Sequence, residues 1–268
     1  MYPYANRTGN SAEQNKAYSL IKWALGFVFT ATFCAFGFSG DFLSEQKQYP
    51  RVRQALSEKT GQIDRDLQTA GLKQNNFKLL IRVFKQEAEL ELFVCKNTEE
   101  SYRLLKTFPV CAKSGIPGPK MQKGDGQVPE GCYKINRFNP TSSFYLSLGL
   151  DYPNAADKKR CKGRDPGGDI FIHGNCVTIG CIPLGDDKIK TLYLYALLAR
   201  NSGQQSIPVY IFPFRMEDKQ MKVFSEQYKA LPEVLQFWQA LRPAYLKFEQ
   251  DKKVLHWTSN EEGAYLFN

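Results

Sequence analysis

Residues 170–187 read IFIHGNCVTIGCIPLGDD. Ile170–Ile172 is a short apolar run of buried-strand character that ends at His173. A glycine-punctuated loop carrying Cys176, Thr178, Gly180 and Cys181 follows. Asp186 and Asp187 then read as the cap of a helix whose apolar positions Ile189, Leu192, Tyr193, Ala196 and Leu197 keep helical spacing. The strand thus delivers His173 into a loop that holds two thiols.

Working outward, LLIRVF (79–84) and ELELFV (89–94) are β-type runs separated by KQEA and read as a hairpin. Tyr102–Val110, CYKINRF (132–138) and Ile207–Phe212 supply further strands. Residues 114–131 hold five glycines and three prolines, so they form a structured loop rather than an element interior. Residues 151–168 read as a second loop. Asp218–Lys229 and Pro232–Leu241 read as helices, with Leu235, Trp238 and Leu241 along one stripe. Residues 41–76 are polar, with helix-compatible stretches at Val52–Glu58 and Ile63–Ala70. The fold class that follows is a mixed, β-rich α+β domain with a C-terminal helical extension.

At 268 residues the chain is long enough to bury a core without disulfide staples. Its 36 basic and 27 acidic residues give +9, of which +7 lies in 38–268. That charge suits an acidic polymer or an anionic surface. No arginine-rich run or nucleic-acid motif is present, so nucleic acid is not the expected partner. With only His173 and His256, a histidine-rich metal site is excluded. His256, among late polar residues, reads as a surface side chain.

After Lys22 no charge occurs until Asp41. The apolar core Trp23–Phe38, with basic residues before it and a small-x-small site at Ala35-Phe36-Gly37, reads as an export signal. The leader before it is long, so an uncleaved anchor in the inner membrane is the alternative. Either way the compartment is the periplasm or cell envelope. Of the seven cysteines, Cys34 leaves with a cleaved leader and six stay. Sequence spacing does not give their pairing.

A thiol becomes strongly nucleophilic when a base takes its proton, and imidazole is the usual base near neutral pH. Gly180 allows a tight turn before Cys181, where successive N–H groups can point at an oxyanion. The competing readings are a loop of inert cysteines and a zinc site built from His173, Cys176, Cys181 and distant Cys161. The paired short spacings of zinc sites are absent.

Ile172-His173-Gly174 followed by Thr178-Ile179-Gly180-Cys181 resembles the signature of the L,D-transpeptidase catalytic domain (YkuD type). Gly118-Pro119-Lys120, Gly124-Asp125 and Pro129-Glu130-Gly131-Cys132-Tyr133 match its upstream loop and strand start. Ile211-Phe212-Pro213-Phe214-Arg215-Met216 matches a later strand of the compact, murein L,D-transpeptidase-like branch. The resemblance runs from Lys78 to Phe214. Seven residues separate His173 from Cys181, fewer than in most relatives, and Pro183 stands where most carry Arg or Asn.

This resemblance implies a mixed β-sandwich over residues 77–216. A signal peptide or anchor (1–37) and a polar stalk or packing arm (38–76) precede it, and a helical extension (217–268) follows. It implies Cys181 as nucleophile, His173 as general base oriented by a backbone carbonyl, Gly180 as oxyanion donor through its backbone, and Thr178 as loop support. Lys120, Glu130, Tyr133, Gly174 and Asn175 are the implied substrate-binding residues. For Cys176 it leaves a disulfide to Cys111 or a packed thiol. The implied substrate is a peptidoglycan stem peptide, attacked at its third residue to give a thioester, with no cofactor and no metal. Transfer to an amine is the first reading. The alternative is hydrolysis by the same thiol, releasing an amino acid or a wall-linked protein. A catalytically silent wall-binding module is disfavoured, since it needs neither His173 nor Cys181.

Overall fold

A computed structural model describes residues 41–267 of the chain. The export-signal reading of residues 1–37 lies outside the described residues. In chain order come α1 (Phe42–Gln46), α2 (Pro50–Thr69), β1 (Lys78–Phe84), β2 (Glu89–Cys95), β3 (Arg103–Pro109), β4 (Gly131–Asn139) and β5 (Ser147–Leu150). Then follow α3 (Ala155–Arg160), β6 (Phe171–His173), β7 (Ile182–Pro183), α4 (Asp186–Asn201), β8 (Pro208–Phe212), α5 (Asp218–Gln227), α6 (Pro232–Asp251), β9 (Trp257–Ser259) and β10 (Tyr265–Phe267). No helix among the described residues is long and apolar enough to cross a membrane.

The LLIRVF run is apolar without strict alternation because β1 is covered on both faces. Leu79, Ile81 and Val83 join α2 and α4 in one core, and Leu80 and Phe84 join α6 in the other. Eight strands form one mixed sheet in the order β3-β2-β1-β8-β4-β5-β6-β7. β1 and β2 make the expected antiparallel hairpin, while β1 and β8 run parallel.

β4 turns this sheet into two halves. Its first residues, Gly131–Lys134, pair with β8, and Ile135–Asn139 pair with β5 across a register shift between Ile135 and Arg137. A bulge of this kind bends a strand and increases its twist. The second half, β5-β6-β7, therefore curls away and carries the histidine and cysteine to the end of the fold. α4 is buried along nearly its whole length between the halves.

Several elements differ from expectation. The two helical stretches of the polar arm are one helix, α2, that runs through Gly61. A helix-interior glycine costs about 1 kcal/mol, and the burial of Val52, Ala55, Ile63 and Leu67 offsets it. The second loop region contains α3, closed by a reciprocal capping box between Asn154 and Asp157. α4 is capped by Gly185 rather than by an aspartate side chain; Asp186 and Asp187 sit in its first turn, where the helix dipole favours negative charge. α6 continues through Pro243 to Asp251, and the hairpin β9–β10 follows it.

Candidate active site

β6 and β7 are parallel, with Ile172 opposite Ile182 and His173 opposite Pro183. Ile172 and Ile182 are buried in the core. Strand alternation then turns His173 to the other face, and Cys181, one residue before β7, turns to the same face. The two lie on neighbouring strands two residues out of register, a diagonal of roughly 8 Å between Cα atoms from strand spacing and rise. The order of the motif is thus converted into proximity by one parallel pairing.

The imidazole is almost wholly buried (1% exposed), and its Nδ1 lies 2.5 Å from the Gly174 carbonyl oxygen. A carbonyl only accepts, so Nδ1 carries the proton and Nε2 keeps the lone pair that a base needs. The Phe144 ring covers the imidazole at 4.6 Å between centroids. Burial holds the His173 pKa below its ordinary value, with the Gly174 hydrogen bond acting in the opposite sense. Burial also pushes the Cys181 thiol up, against a smaller lowering by a backbone hydrogen bond from Phe171. Burial thus disfavours the charged form of both groups. Cys181 Sγ is half-buried and donates to the Asp169 carbonyl at 3.7 Å.

Thr178 organises the loop. Its Oγ1 accepts from Gly180 N (3.1 Å) and Cys181 N (2.8 Å) and donates to the Cys181 carbonyl (2.8 Å). Both N–H groups expected to meet an oxyanion are thus taken by the threonine hydroxyl. A substrate oxyanion would have to displace the Thr178 hydroxyl to meet these N–H groups. Gly180 is also needed for shape: its φ is +134°, and a Cβ would approach the Gln127 carbonyl oxygen to 3.0 Å.

Gly174 and Asn175 lie beside the imidazole. Asn175 is exposed, takes the left-handed conformation that asparagine tolerates (φ +56°), and donates its N–H to Asp186 Oδ1 at 2.7 Å. A Cβ on Gly174 would stand 2.6 Å from the Phe144 carbonyl oxygen and 2.7 Å from Asp186 Oδ1. Gly174→Ala is accordingly expected to cost about 1–3 kcal/mol through overpacking and to slow turnover by displacing the 144 loop. Urea unfolding beside an activity assay checks this; wild-type stability would contradict the close packing.

Lys120, Glu130 and Tyr133 are expected on the cleft wall, and the structure places them inside the scaffold. Lys120 is buried, with Nζ on Asp125 (2.6 Å) and the Gln122 carbonyl (3.0 Å). Glu130 is fully buried and accepts from Lys85 Nζ (2.8 Å), Gly118 N (2.6 Å) and Trp238 Nε1 (2.9 Å). The Tyr133 hydroxyl is shared between the Glu130 carbonyl and Asp157. Buried charges must be paired, and these pairs tie the Gly/Pro loop to the sheet and to α6.

Cys111 and Cys176 form a disulfide. It joins the segment after β3 to the loop between β6 and β7 and leaves Cys176 without a free thiol for nucleophilic attack or zinc binding. Cys95, Cys132 and Cys161 are buried free thiols, which leaves Cys181 as the partly exposed one among the described residues. The cleft against Cys181 is walled by Val83, Val110, Ala112, Ile116, Val128 and Ile182. Phe144, Asp186 and Arg51, discussed below, were not legible as site residues. Phe144 carries no motif, and Asp186 reads as an ordinary helix-start aspartate.

The family model for the L,D-transpeptidase catalytic domain (YkuD) matches residues 81–211, from β1 to β8. The Escherichia coli (strain K12) protein YafK, whose name assigns it to the L,D-transpeptidases, is 38% identical over 175 residues, covering 65% of this chain and 67% of that protein. Among solved structures, the helical cell shape determining protein Pgp2 of Campylobacter jejuni is similar at 18% identity and a TM-score of 0.42, covering 68% of this chain and 73% of that one. Bd1075 of Bdellovibrio bacteriovorus is similar at 22% identity and a TM-score of 0.37, covering 66% and 64%. With the motif order, the curled mixed sheet and this level of identity, the chain belongs to the L,D-transpeptidase catalytic-domain (YkuD) family.

Proposed function

We propose that this chain is an exported cell-wall enzyme that acts on peptidoglycan stem peptides through a thioester on Cys181. The observation that carries the reading is the parallel pairing of β6, which ends at His173, with β7, which begins one residue after Cys181, together with the commitment of Nδ1 to Gly174. On substrate binding, Nε2 takes the thiol proton while Sγ attacks the carbonyl at the L-centre of the third stem residue. The protonated imidazole then gives its proton to the departing amine, which leaves the acyl group on sulfur. An amine acceptor resolves the thioester in transpeptidation, and water resolves it in hydrolysis. Thr178 holds the loop, Asn175 is exposed beside the imidazole, and the buried Lys120–Asp125 pair braces the Gly/Pro loop. The basic surface suits a carboxylate-rich polymer.

Full-length protein is incubated with purified tetrapeptide muropeptides and with intact sacculi, and products are read by mass spectrometry. Cys181-dependent dimers or D-amino-acid exchange mark transpeptidation; trimmed monomers or released protein mark hydrolysis. Products formed equally well by Cys181→Ala would sink the thiol reading.

The pH profile has a defined sign. Catalysis needs neutral His173, and burial keeps it neutral to lower pH than a free imidazole. The acid limb of kcat/KM is therefore expected below about pH 6.5. The raised thiol pKa keeps Cys181 protonated through neutral pH, so iodoacetamide alkylation of the resting enzyme stays slow there and rises only in alkali. An acid limb above that value, or rapid alkylation at neutral pH, would indicate a preformed thiolate–imidazolium pair instead.

A further inference from the structure

The imidazole is roofed by a turn that α2 holds from outside the family-matched segment. Arg51 Nη1 donates to the carbonyl oxygens of Ser142 (2.5 Å) and Tyr145 (2.7 Å), and its guanidinium lies 5.5 Å from the centre of the Tyr145 ring. One helical turn on, Gln54 Oε1 accepts from the Tyr145 hydroxyl at 2.8 Å. A further turn on, Glu58 accepts from Gln54 Nε2 (2.7 Å) and from Lys190 Nζ (2.6 Å), and Lys190 itself lies against the Tyr145 ring. Residues 51, 54 and 58 share one helix face by their spacing.

Between the two carbonyls held by Arg51 stands Phe144, the residue on the His173 ring. Its N–H is taken by Ser142 Oγ at 3.1 Å. Tyr145 has φ +71°, a region that a tyrosine side chain disfavours, so the turn needs an outside hold to keep its shape. Past the turn, the Leu146 carbonyl accepts from Gly174 N at 3.1 Å, so the roof and the histidine strand are joined directly.

We propose that Arg51 is a positioning residue for the His173 imidazole, holding the 142–145 turn so that Phe144 lies on the ring. The proposal rests on the reading of His173 as the base. Arg51 touches neither the thiol nor the imidazole and acts through Phe144. The aromatic ring excludes water from one imidazole face and blocks ring rotation, while Gly174 fixes Nδ1.

The test uses full-length protein with His256→Gln, which leaves one histidine in the chain and hence one imidazole signal by NMR. Phe144 displaces the His173 ring-proton shifts by its ring current. Phe144→Ala defines full loss of that displacement, and Arg51→Met is expected to lose at least about half of it, with kcat down about tenfold and KM within about twofold. The double variant should be no slower than Phe144→Ala alone, because both changes act on one contact. Should Arg51→Met not fold, Arg51→Lys keeps the stem and charge without the planar fork, and an intermediate displacement is expected.

Wild-type ring shifts in a folded Arg51 variant, or losses that multiply in the double variant, would overturn the proposal. The ring signal is read without substrate, so it decides the seating of Phe144 whatever the reaction. His173→Gln tests the base separately: full turnover there would sink the base reading even with Phe144 in place.

Discussion

Alanine at Cys181 is expected to lower turnover on peptidoglycan fragments by a factor on the order of 10⁴ or more, since the nucleophile and its base act as a unit. The fold should not notice. Cys181 is half-buried, its Sγ makes only weak contacts with the Asp169 carbonyl and the Phe171 backbone, and the Thr178 bonds reach its backbone rather than its side chain. Melting temperature is therefore the control, expected within a few degrees of wild type because a side chain without a core role changes stability little. Cys176→Ala isolates the disulfide instead. It frees Cys111 and loosens the tie between the cleft wall and the loop before β7, yet leaves the β6–β7 pairing that sets His173 and Cys181 near one another. Substantial activity should remain. Loss of all turnover in Cys176→Ala with Cys181→Ala still active would reverse the assignment.

The largest stability effect is expected at Glu130. Its two oxygens accept from Lys85 Nζ, Gly118 N and Trp238 Nε1, and Lys85 also donates to the carbonyls of Gly118 and Val128. Both side chains are inside the protein, at 6% and 0% exposure. Glu130→Leu strands an ammonium in the core and leaves two N–H donors unpaired. Breaking a buried pair from one side costs about 3–5 kcal/mol, enough to lower Tm by roughly 10 °C in a protein of this size. Burial already depresses the Lys85 pKa, and Glu130 opposes that, so the variant lysine should shed its proton. Adding Lys85→Met to Glu130→Leu should recover part of the loss, because two apolar neighbours need no counter-charge. Equal melting of Glu130→Leu and wild type by calorimetry would contradict this pairing.

Glu130 also shows where sequence reading stops. It stands in a Gly/Pro loop, and loops expose polar side chains as a rule. Its partners Lys85 and Trp238 are 45 and 108 residues away, and only the tertiary fold brings them together. The same limit hides the Phe144 roof and its hold by Arg51, because no local pattern marks a carbonyl as the acceptor of a guanidinium about ninety residues earlier.

The hairpin, the strand ending in His173 and the reactive loop were legible, since each rests on local periodicity or on residue types tied to one chemistry. α3 is hidden in sequence although Asn154-x-x-Asp157 is a capping-box spacing, because the prolines and glycines around so short a helix signal a loop. Ser147–Leu150 is too short to show alternation, and its strand character comes from pairing with β4 and β6. Thr178 was legible as loop support, but the geometry of its bonds was not. Those bonds put the threonine hydroxyl on the N–H pair beside Cys181, which residue types alone do not reveal.

The most direct test of the central claim is intact-protein mass spectrometry during turnover of tetrapeptide muropeptides or sacculi by the full-length chain, followed by peptide mapping. A mass increment equal to the acyl portion of the stem, lost on hydroxylamine treatment and mapped to Cys181, is the predicted result. Product formation in which Cys181 never carries the acyl group, or which proceeds unchanged in Cys181→Ala, would contradict a thioester on this residue.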